Sequence, residues 1–313
     1  MRIVSDCDPG PDDAVNLLLL QTVNPRSITV ISSYGCASIK DTTTNASGFL
    51  GALDLPSVQL IMGADSPLHP HPHRGTELPT FFGDNGFNNI TFEPNDRIIG
   101  QNASEDLRAA LAPGEIHYCL TGPCTNLASL IIEDPDYVKV KIERLYLMGG
   151  VLRGTGNEGP DGDKYAEFNF YLDAKAASII LGSGIPISLV TWDAAQFFQL
   201  SRSSIDQLRP KSSAAEHLVE AMQNFFALYR NDNHQNVNSE PALILSDAIV
   251  GFDLMGGDFT SREDIYVNLV TEDARYGELV ETQPGTGHRV TYVKLKEPEK
   301  AISFLTQLLN SSR

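Results

Sequence analysis

The first twenty-one residues, Met1-Arg2-Ile3-Val4-Ser5-Asp6-Cys7-Asp8-Pro9-Gly10-Pro11-Asp12-Asp13-Ala14-Val15-Asn16-Leu17-Leu18-Leu19-Leu20-Gln21, contain three structural signals in succession. A short apolar strand over Ile3–Ser5 meets a Pro-Gly-Pro turn, and a helix over Asp13–Gln21 follows, with Leu17–Leu20 as its buried face. Strand, tight turn and helix in that order open a fold in which helices cross over between parallel strands. Further along, the same alternation repeats. Strands are expected at Ile28–Ser33, Val58–Met62, Ile116–Thr121, Ile142–Met148, Ile185–Val190, Tyr266–Leu269 and Val290–Leu295. Helices are expected near Thr42–Leu53, Glu105–Leu111, Asn126–Glu133, Ala174–Leu181, Ser213–Tyr229, Pro241–Val250 and Pro298–Leu309. The prediction is an α/β fold with an open, mostly parallel, Rossmann-like sheet flanked by helices. No repeat or low-complexity linker interrupts it, so residues 1–313 are read as a single domain. Two long loops, Ser66–Asn89 and Gly149–Lys164, are placed to cover a site.

Within the opening segment, Asp6, Asp8, Asp12 and Asp13 bring four carboxylates to the end of the first strand and the mouth of the first helix. Open parallel sheets bind ligands at the carboxyl ends of their strands. Acids at a helix start often do no more than complement its dipole, which accounts for Asp12 and Asp13 but not for Asp6 and Asp8. Carboxylates held this close repel one another unless a cation neutralises them. Oxygen ligands suit a hard divalent ion such as Ca2+, and the lack of a His or Cys ligand cluster argues against zinc.

Composition narrows the function classes. Lys and Arg number 23 against 40 Asp and Glu, a net charge of −17 that repels nucleic acid. Hydrophobic residues at 42% and charged residues at 20% fit a globular chain with a sizeable core. Cys7, Cys36, Cys119 and Cys124 form no zinc or C-x-x-C spacing and are read as reduced thiols. There is no secretion signal and no membrane span, so the chain is expected to be cytoplasmic, and its Asn-x-Ser/Thr sequons are chance matches.

The acidic opening resembles the N-terminal signature of the inosine-uridine-preferring nucleoside hydrolase family. Further segments match in the same order: Thr121-Gly122-Pro123-Cys124-Thr125-Asn126-Leu127-Ala128, Leu147-Met148-Gly149-Gly150, and Ala166-Glu167-Phe168-Asn169, followed by Asp173 and Ala176-Ala177. The resemblance implies Ca2+-dependent hydrolysis of the bond between ribose and nucleobase, in purine and pyrimidine salvage. It also implies that Asp8 binds the ion and takes a proton from the attacking water. Asp13, the main-chain carbonyl of Thr121 and Asp247 would complete the protein ligands. Asp12, Met148, Asn157, Glu167 and Asn169 match ribose-holding positions, with the register of Asn157 set by a loop longer than the family's usual one. Family members commonly form homodimers or homotetramers, so self-association is expected. The chemistry is coherent, since an oxocarbenium-like transition state calls for negative charge around the sugar and an activated water.

Departures from the pattern lie at the leaving group. Ser246 precedes Asp247 where many members carry His, and Phe82-Gly83-Asp84-Asn85-Gly86-Phe87 stands where a His-Gly motif is usual. The family's early Asn falls on Cys36, for which a substrate contact and a polar or packing role both stand, the latter preferred. General-acid help is typically worth about 10²–10⁴ in rate. Tyr229 and His234 are the candidates to supply it. The other outcomes are a base that leaves with little help, such as a cationic nicotinamide or alkylated purine, and a weakly active protein.

Other residues admit plainer readings. His69-Pro70-His71-Pro72-His73 is read as a loop without a dedicated metal, and Trp192 as packing in preference to base stacking. A haloacid-dehalogenase-type metal-dependent phosphohydrolase would explain Asp6 and Asp8 but not Glu167-Phe168-Asn169. No G-x-G-x-x-G directly after a strand and opening a helix supports a dinucleotide enzyme. A nucleoside- or ribose-binding protein with little activity remains the other alternative.

Overall fold

The computed structural model describes residues 1–69, 71–72, 82–93, 99–100, 103–231, 241–272 and 274–311. In chain order the strands are β1 (Arg2–Cys7), β2 (Ser27–Ser32), β3 (Gln59–Met62), β4 (Ile99–Gly100), β5 (Ile116–Leu120), β6 (Ile142–Met148), β7 (Ile187–Val190), β8 (Gln199–Leu200), β9 (Leu243–Ile244), β10 (Thr260–Leu269), β11 (Leu279–Thr282) and β12 (His288–Leu295). The helices are α1 (Pro11–Gln21), α2 (Ile39–Ala52), α3 (Ala103–Leu111), α4 (Thr125–Glu133), α5 (Pro135–Lys141), α6 (Phe168–Leu172), α7 (Ala174–Leu181), α8 (Trp192–Ala195), α9 (Arg202–Asp206), α10 (Ser213–Asn231), α11 (Ala248–Met255) and α12 (Pro298–Leu309).

Among the described residues one ten-stranded sheet runs β11-β10-β12-β7-β6-β5-β1-β2-β3-β4. It is parallel from β12 through β4, while β10 and β11 add antiparallel pairs at one edge. The mostly parallel sheet expected from the sequence is therefore present. Its inner strands are apolar on both faces because helices cover both. Ile3 faces one core cluster, with Leu19, Phe49 and Phe252, while Val4 faces the other, with Leu120, Leu147 and Ile180. Chain order runs outward from β1 through β2 and β3 on one side and through β5, β6 and β7 on the other. The crevice between the carboxyl ends of β1 and β5 is thus the switch point at which such sheets bind ligands.

Helix α1 is buried from Pro11 to Leu20, because it lies between the sheet and α10 and α11. Pro11 starts it, and the Asp13 carboxylate accepts the Gly10 N–H at 3.0 Å, satisfying a donor the helix itself leaves open.

Two expected elements differ. The helix expected over Pro241–Val250 is a short strand, β9, followed by α11 from Ala248. Leu243 and Ile244 pair with Leu200 and Gln199 instead of joining a helix, so Pro241 is not a helix start, and Asp247 stands at the N-cap of α11. The strand expected at Tyr266–Leu269 is the end of a ten-residue β10 whose first half exposes charged Arg262, Glu263 and Asp264. Short helices such as α6 went unpredicted because five residues make little more than one helical turn, too few for a period to repeat.

Candidate active site

Asp8, Asp12 and Asp13 follow β1, Thr121 follows β5, and Asp247 caps α11; all five are buried at that switch point. Carboxylate oxygens of Asp12, Asp13 and Asp247 lie within 4.8 Å of one another. Thr121 donates its hydroxyl to Asp13 at 2.6 Å, and Ser246 donates to Asp12 at 3.0 Å. The Asp8 carboxylate accepts the Cys36 N–H at 2.7 Å, which orients it toward its neighbours. Burial first, then mutual repulsion, drives these acids upward. Asp13 is pushed up to about 8 by desolvation and the Asp12 charge, and Asp8 rises by desolvation and the Asp13 charge. Asp247 rises for the same reasons, desolvation first and then the Asp12 charge, the strongest of the repulsions on it. The three buried carboxylates of Asp12, Asp13 and Asp247, with Asp8 beside them and no ion pair to a cationic side chain among the described residues, form a cluster able to bind a metal ion.

Asp6 behaves otherwise. It is fully buried but accepts hydrogen bonds from Tyr118 at 2.7 Å and Asn126 at 2.8 Å, so it ties β1 to β5 and α4 and does not line the cavity. The matched Thr125-Asn126 pair is likewise structural. Thr125 donates to Asp173 at 2.8 Å, and the Asn126 carbonyl accepts the Ala64 N–H at 2.7 Å.

A cavity of about 410 Å³ opens above the acids, within the range of small-molecule sites. It brings together Asp8, Asp12, Asp13, Cys36, Thr121, Met148, Asn157, Glu167, Asn169 and Asp247, every sequence-expected site residue except Tyr229 and His234. His234 and the side chain of Tyr229 lie outside the described residues. Glu167 accepts N–H bonds from Gly150 and Asn169 at 2.8 Å each and from Phe170 at 3.1 Å, yet burial still lifts it to about 7. The Asn169 amide donates to the Thr121 carbonyl at 2.8 Å, while its own carbonyl oxygen is buried without a partner among the described residues. The Asn157 carbonyl oxygen is buried in the same condition. Such orphaned acceptors facing a cavity are positioned for a ligand's donors.

Cys36 is 3% exposed, its thiol sits 2.8 Å from the Asp8 main-chain carbonyl, and burial followed by the Asp8 charge pushes its pKa up. It is a neutral thiol bracing Asp8. All four cysteines are free. Trp192 both packs on the core and lines the cavity. His71 packs tilted against Tyr171 and edge-on against Tyr276 at centroid distances of 4.4 and 4.7 Å, and His73 lies outside the described residues.

Sequence reasoning missed Phe168, Phe225, Leu243, Ile244, Glu158 and Lys164 on the cavity wall. Phe168 was quoted within Ala166-Glu167-Phe168-Asn169 without a part in the site, and the other five belong to no local motif. Phe82 and Ser246 were noted only for the histidines they replace, yet both line the cavity. No helix of the described residues is long and apolar enough to cross a membrane.

Comparison with known proteins agrees with this arrangement. The model of the inosine-uridine preferring nucleoside hydrolase family matches residues 3–308. The pyrimidine-specific ribonucleoside hydrolase RihA of Shewanella baltica is 29% identical over 280 residues, covering 87% of this chain and 83% of that protein. Its counterpart from Salmonella agona is 30% identical over 241 residues, 74% of this chain and 73% of that protein. A plant nucleoside hydrolase superposes with a TM-score of 0.83 at 21% identity, and the purine-preferring ribonucleoside hydrolase of Gardnerella vaginalis with 0.81 at 18%, each over 99% of both chains. The family match sets aside the phosphohydrolase alternative. The chain belongs to the inosine-uridine preferring nucleoside hydrolase family and is a hydrolase acting on N-glycosyl bonds.

Proposed function

We propose that this protein hydrolyses ribonucleosides to ribose and free base with Ca2+ held by Asp8, Asp13, the Thr121 carbonyl and Asp247. The observation that carries the reading is the convergence of buried, mutually raising carboxylates beneath a cavity with orphaned amide oxygens. The donors are all oxygen, with no His or Cys in the cluster among the described residues, which fits a hard divalent ion. Asp12 belongs to the same group of carboxylates and serves both the ion and a ribose hydroxyl. A bound divalent ion supplies a more acidic water and a fixed seat for the ribose diol.

Asp8, braced by Cys36, takes the proton of the water that attacks C1′. Glu167, Asn169, Asn157 and Met148 hold the sugar, and the negative floor stabilises positive charge developing on it. Phe82 and Phe225 offer flat apolar surface to the base. No histidine lines the cavity among the described residues, and Ser246 is committed to Asp12. These features favour a base that departs with little protonic help, with Tyr229 and His234 kept as donors from outside the described residues. A cytoplasmic homodimer or homotetramer working in nucleoside salvage completes the proposal.

The test is a reducing-sugar assay over purine, pyrimidine and nicotinamide ribosides, with Ca2+ and with chelator. We expect turnover of at least one riboside, lost on chelation and restored by Ca2+. Absence of turnover across the panel with the ion present overturns the proposal.

A further inference from the structure

Lys164 is the one cationic side chain lining the cavity among the described residues. It is exposed, and its ammonium makes no ion pair or hydrogen bond among the described residues, although the cavity it faces is rich in carboxylates. Its position follows from the sheet order. The loop after β6 folds into a ribbon in which Gly156 N–H donates to the Lys164 carbonyl at 2.8 Å and Asn157 N–H to Ala166 at 3.0 Å. That ribbon, with Glu167, stands on the β6 side of the acidic floor. Phe225 comes from α10, packed on α1 and α2, and Phe82 lies against Gly10, so this apolar surface stands on the β1 and β2 side.

A ribose seated by its 2′,3′-diol on the floor projects two substituents apart, the base from C1′ and the 5′-carbon from C4′. With the base against Phe82 and Phe225, the 5′-carbon points to the wall that carries Asn157 and Lys164. A neutral 5′-hydroxyl is already served there by the orphaned Asn157 oxygen and by Glu167. The surplus ammonium has the charge and reach for an anionic group. We infer that Lys164 is a specificity-determining residue that admits ribonucleoside 5′-monophosphates to this site, a reading that rests on the proposed ribonucleoside hydrolysis. Glu158 shares that wall and opposes a phosphate, as does the net charge of −17, so the ammonium carries the recognition. The reaction keeps the same balance. Water bonds to C1′ as the C1′–N bond breaks, its electron pair leaves with the base, and the base takes a proton from the water. The phosphoester is untouched, so the products are free base and ribose 5-phosphate.

The experiment compares uridine with uridine 5′-monophosphate and inosine with inosine 5′-monophosphate, in the presence of Ca2+, scoring free base and ribose 5-phosphate. For at least one base we expect the nucleotide to be cleaved with kcat/KM within about tenfold of its nucleoside. Lys164→Met should lower the nucleotide-to-nucleoside ratio by about tenfold or more, chiefly through KM, and Lys164→Arg should restore most of it. By calorimetry, ribose 5-phosphate should bind the wild type more tightly than ribose does, and Lys164→Met should erase the difference. Nucleoside turnover without nucleotide turnover overturns this inference and leaves the ribonucleoside reading standing; failure of both substrates removes both. A ratio unchanged in Lys164→Met also overturns it.

Discussion

Asp6 and Asp8 stand two residues apart at the end of β1, both withdrawn from water, and their surroundings divide them. Asp6 meets two neutral donors, Tyr118 and Asn126, and is used up in joining strands. Asp8 meets one main-chain N–H from Cys36 and otherwise faces the charges of Asp13 and Asp12. Burial raises both, Asp6 to about 7 and Asp8 well above its ordinary range. What distinguishes an anchoring carboxylate from a working one is therefore the company it keeps. Neutral donors complete the first, while the second remains incomplete until a cation arrives.

Substitution at Asp8 breaks the comparison most sharply. Asp8→Ala should lower kcat by at least about 10³-fold while leaving the fold intact, because on the proposed mechanism it removes a proton acceptor and an ion ligand together. Steady-state kinetics beside a thermal melt checks this, and near-normal turnover would reject Asp8 as base and ligand. Asp6→Ala should do the reverse. It strands the Tyr118 hydroxyl and the Asn126 amide in the core, so a loss of roughly 2–4 kcal/mol of stability is expected. Denaturant unfolding measures it, and the fraction that remains folded should keep most of its turnover. A variant that stayed stable but inactive would place Asp6 in the chemistry instead.

Glu167 sharpens the same contrast through pH. Its folded pKa of about 7 lies above the ordinary 4.5 of the unfolded chain, so the folded state holds the proton more tightly. The stability this confers is complete below about pH 4.5 and is lost as pH rises through about 7. Relative to Glu167→Gln, the wild type should therefore lose roughly 2–4 kcal/mol between those limits, read from urea melts at a series of pH values. Parallel curves for the two proteins would mean that Glu167 titrates normally. The smallest effect is expected at Ser246, whose hydroxyl holds Asp12 at 3.0 Å. Ser246→Ala should cost about three- to tenfold in kcat/KM, as one charge-assisted hydrogen bond is lost. A loss of a hundredfold or more would give Ser246 a direct part in catalysis.

Most of the floor of the site was legible in the sequence because Asp8, Asp12 and Asp13 are neighbours along the chain and the turn between Pro9 and Pro11 gathers them, whereas Asp247 came only from the family resemblance. Alternating β-branched runs and helical periods likewise disclosed a parallel sheet, since buried strands of that kind need no partner-specific signal. The walls were not legible. Phe225 sits on a long amphipathic helix where nothing marks one aromatic as facing a cavity, and Lys164 looks like any loop lysine until the Gly156 hydrogen bond places it. Asn157 was matched across a loop of uncertain register, and the ribbon pairing with Ala166 brings it to the cavity. Around Asp247 the error was one of punctuation. Pro241 resembles a helix start, but Leu243 and Ile244 find a strand partner in Gln199 and Leu200, contact information that no local window contains.

The tie between Asp12 and Ser246 closes a separation of 234 residues, and the tie between Asp6 and Tyr118 one of 112. Contacts so distant along the chain are made late in folding, after the entropy of closing those loops has been met. During synthesis the opening acids emerge first and wait for Asp247 until most of the polypeptide has followed. On the proposed reading, high-affinity uptake of a divalent ion should then mark the end of folding, making metal loading a reporter of a fully closed chain.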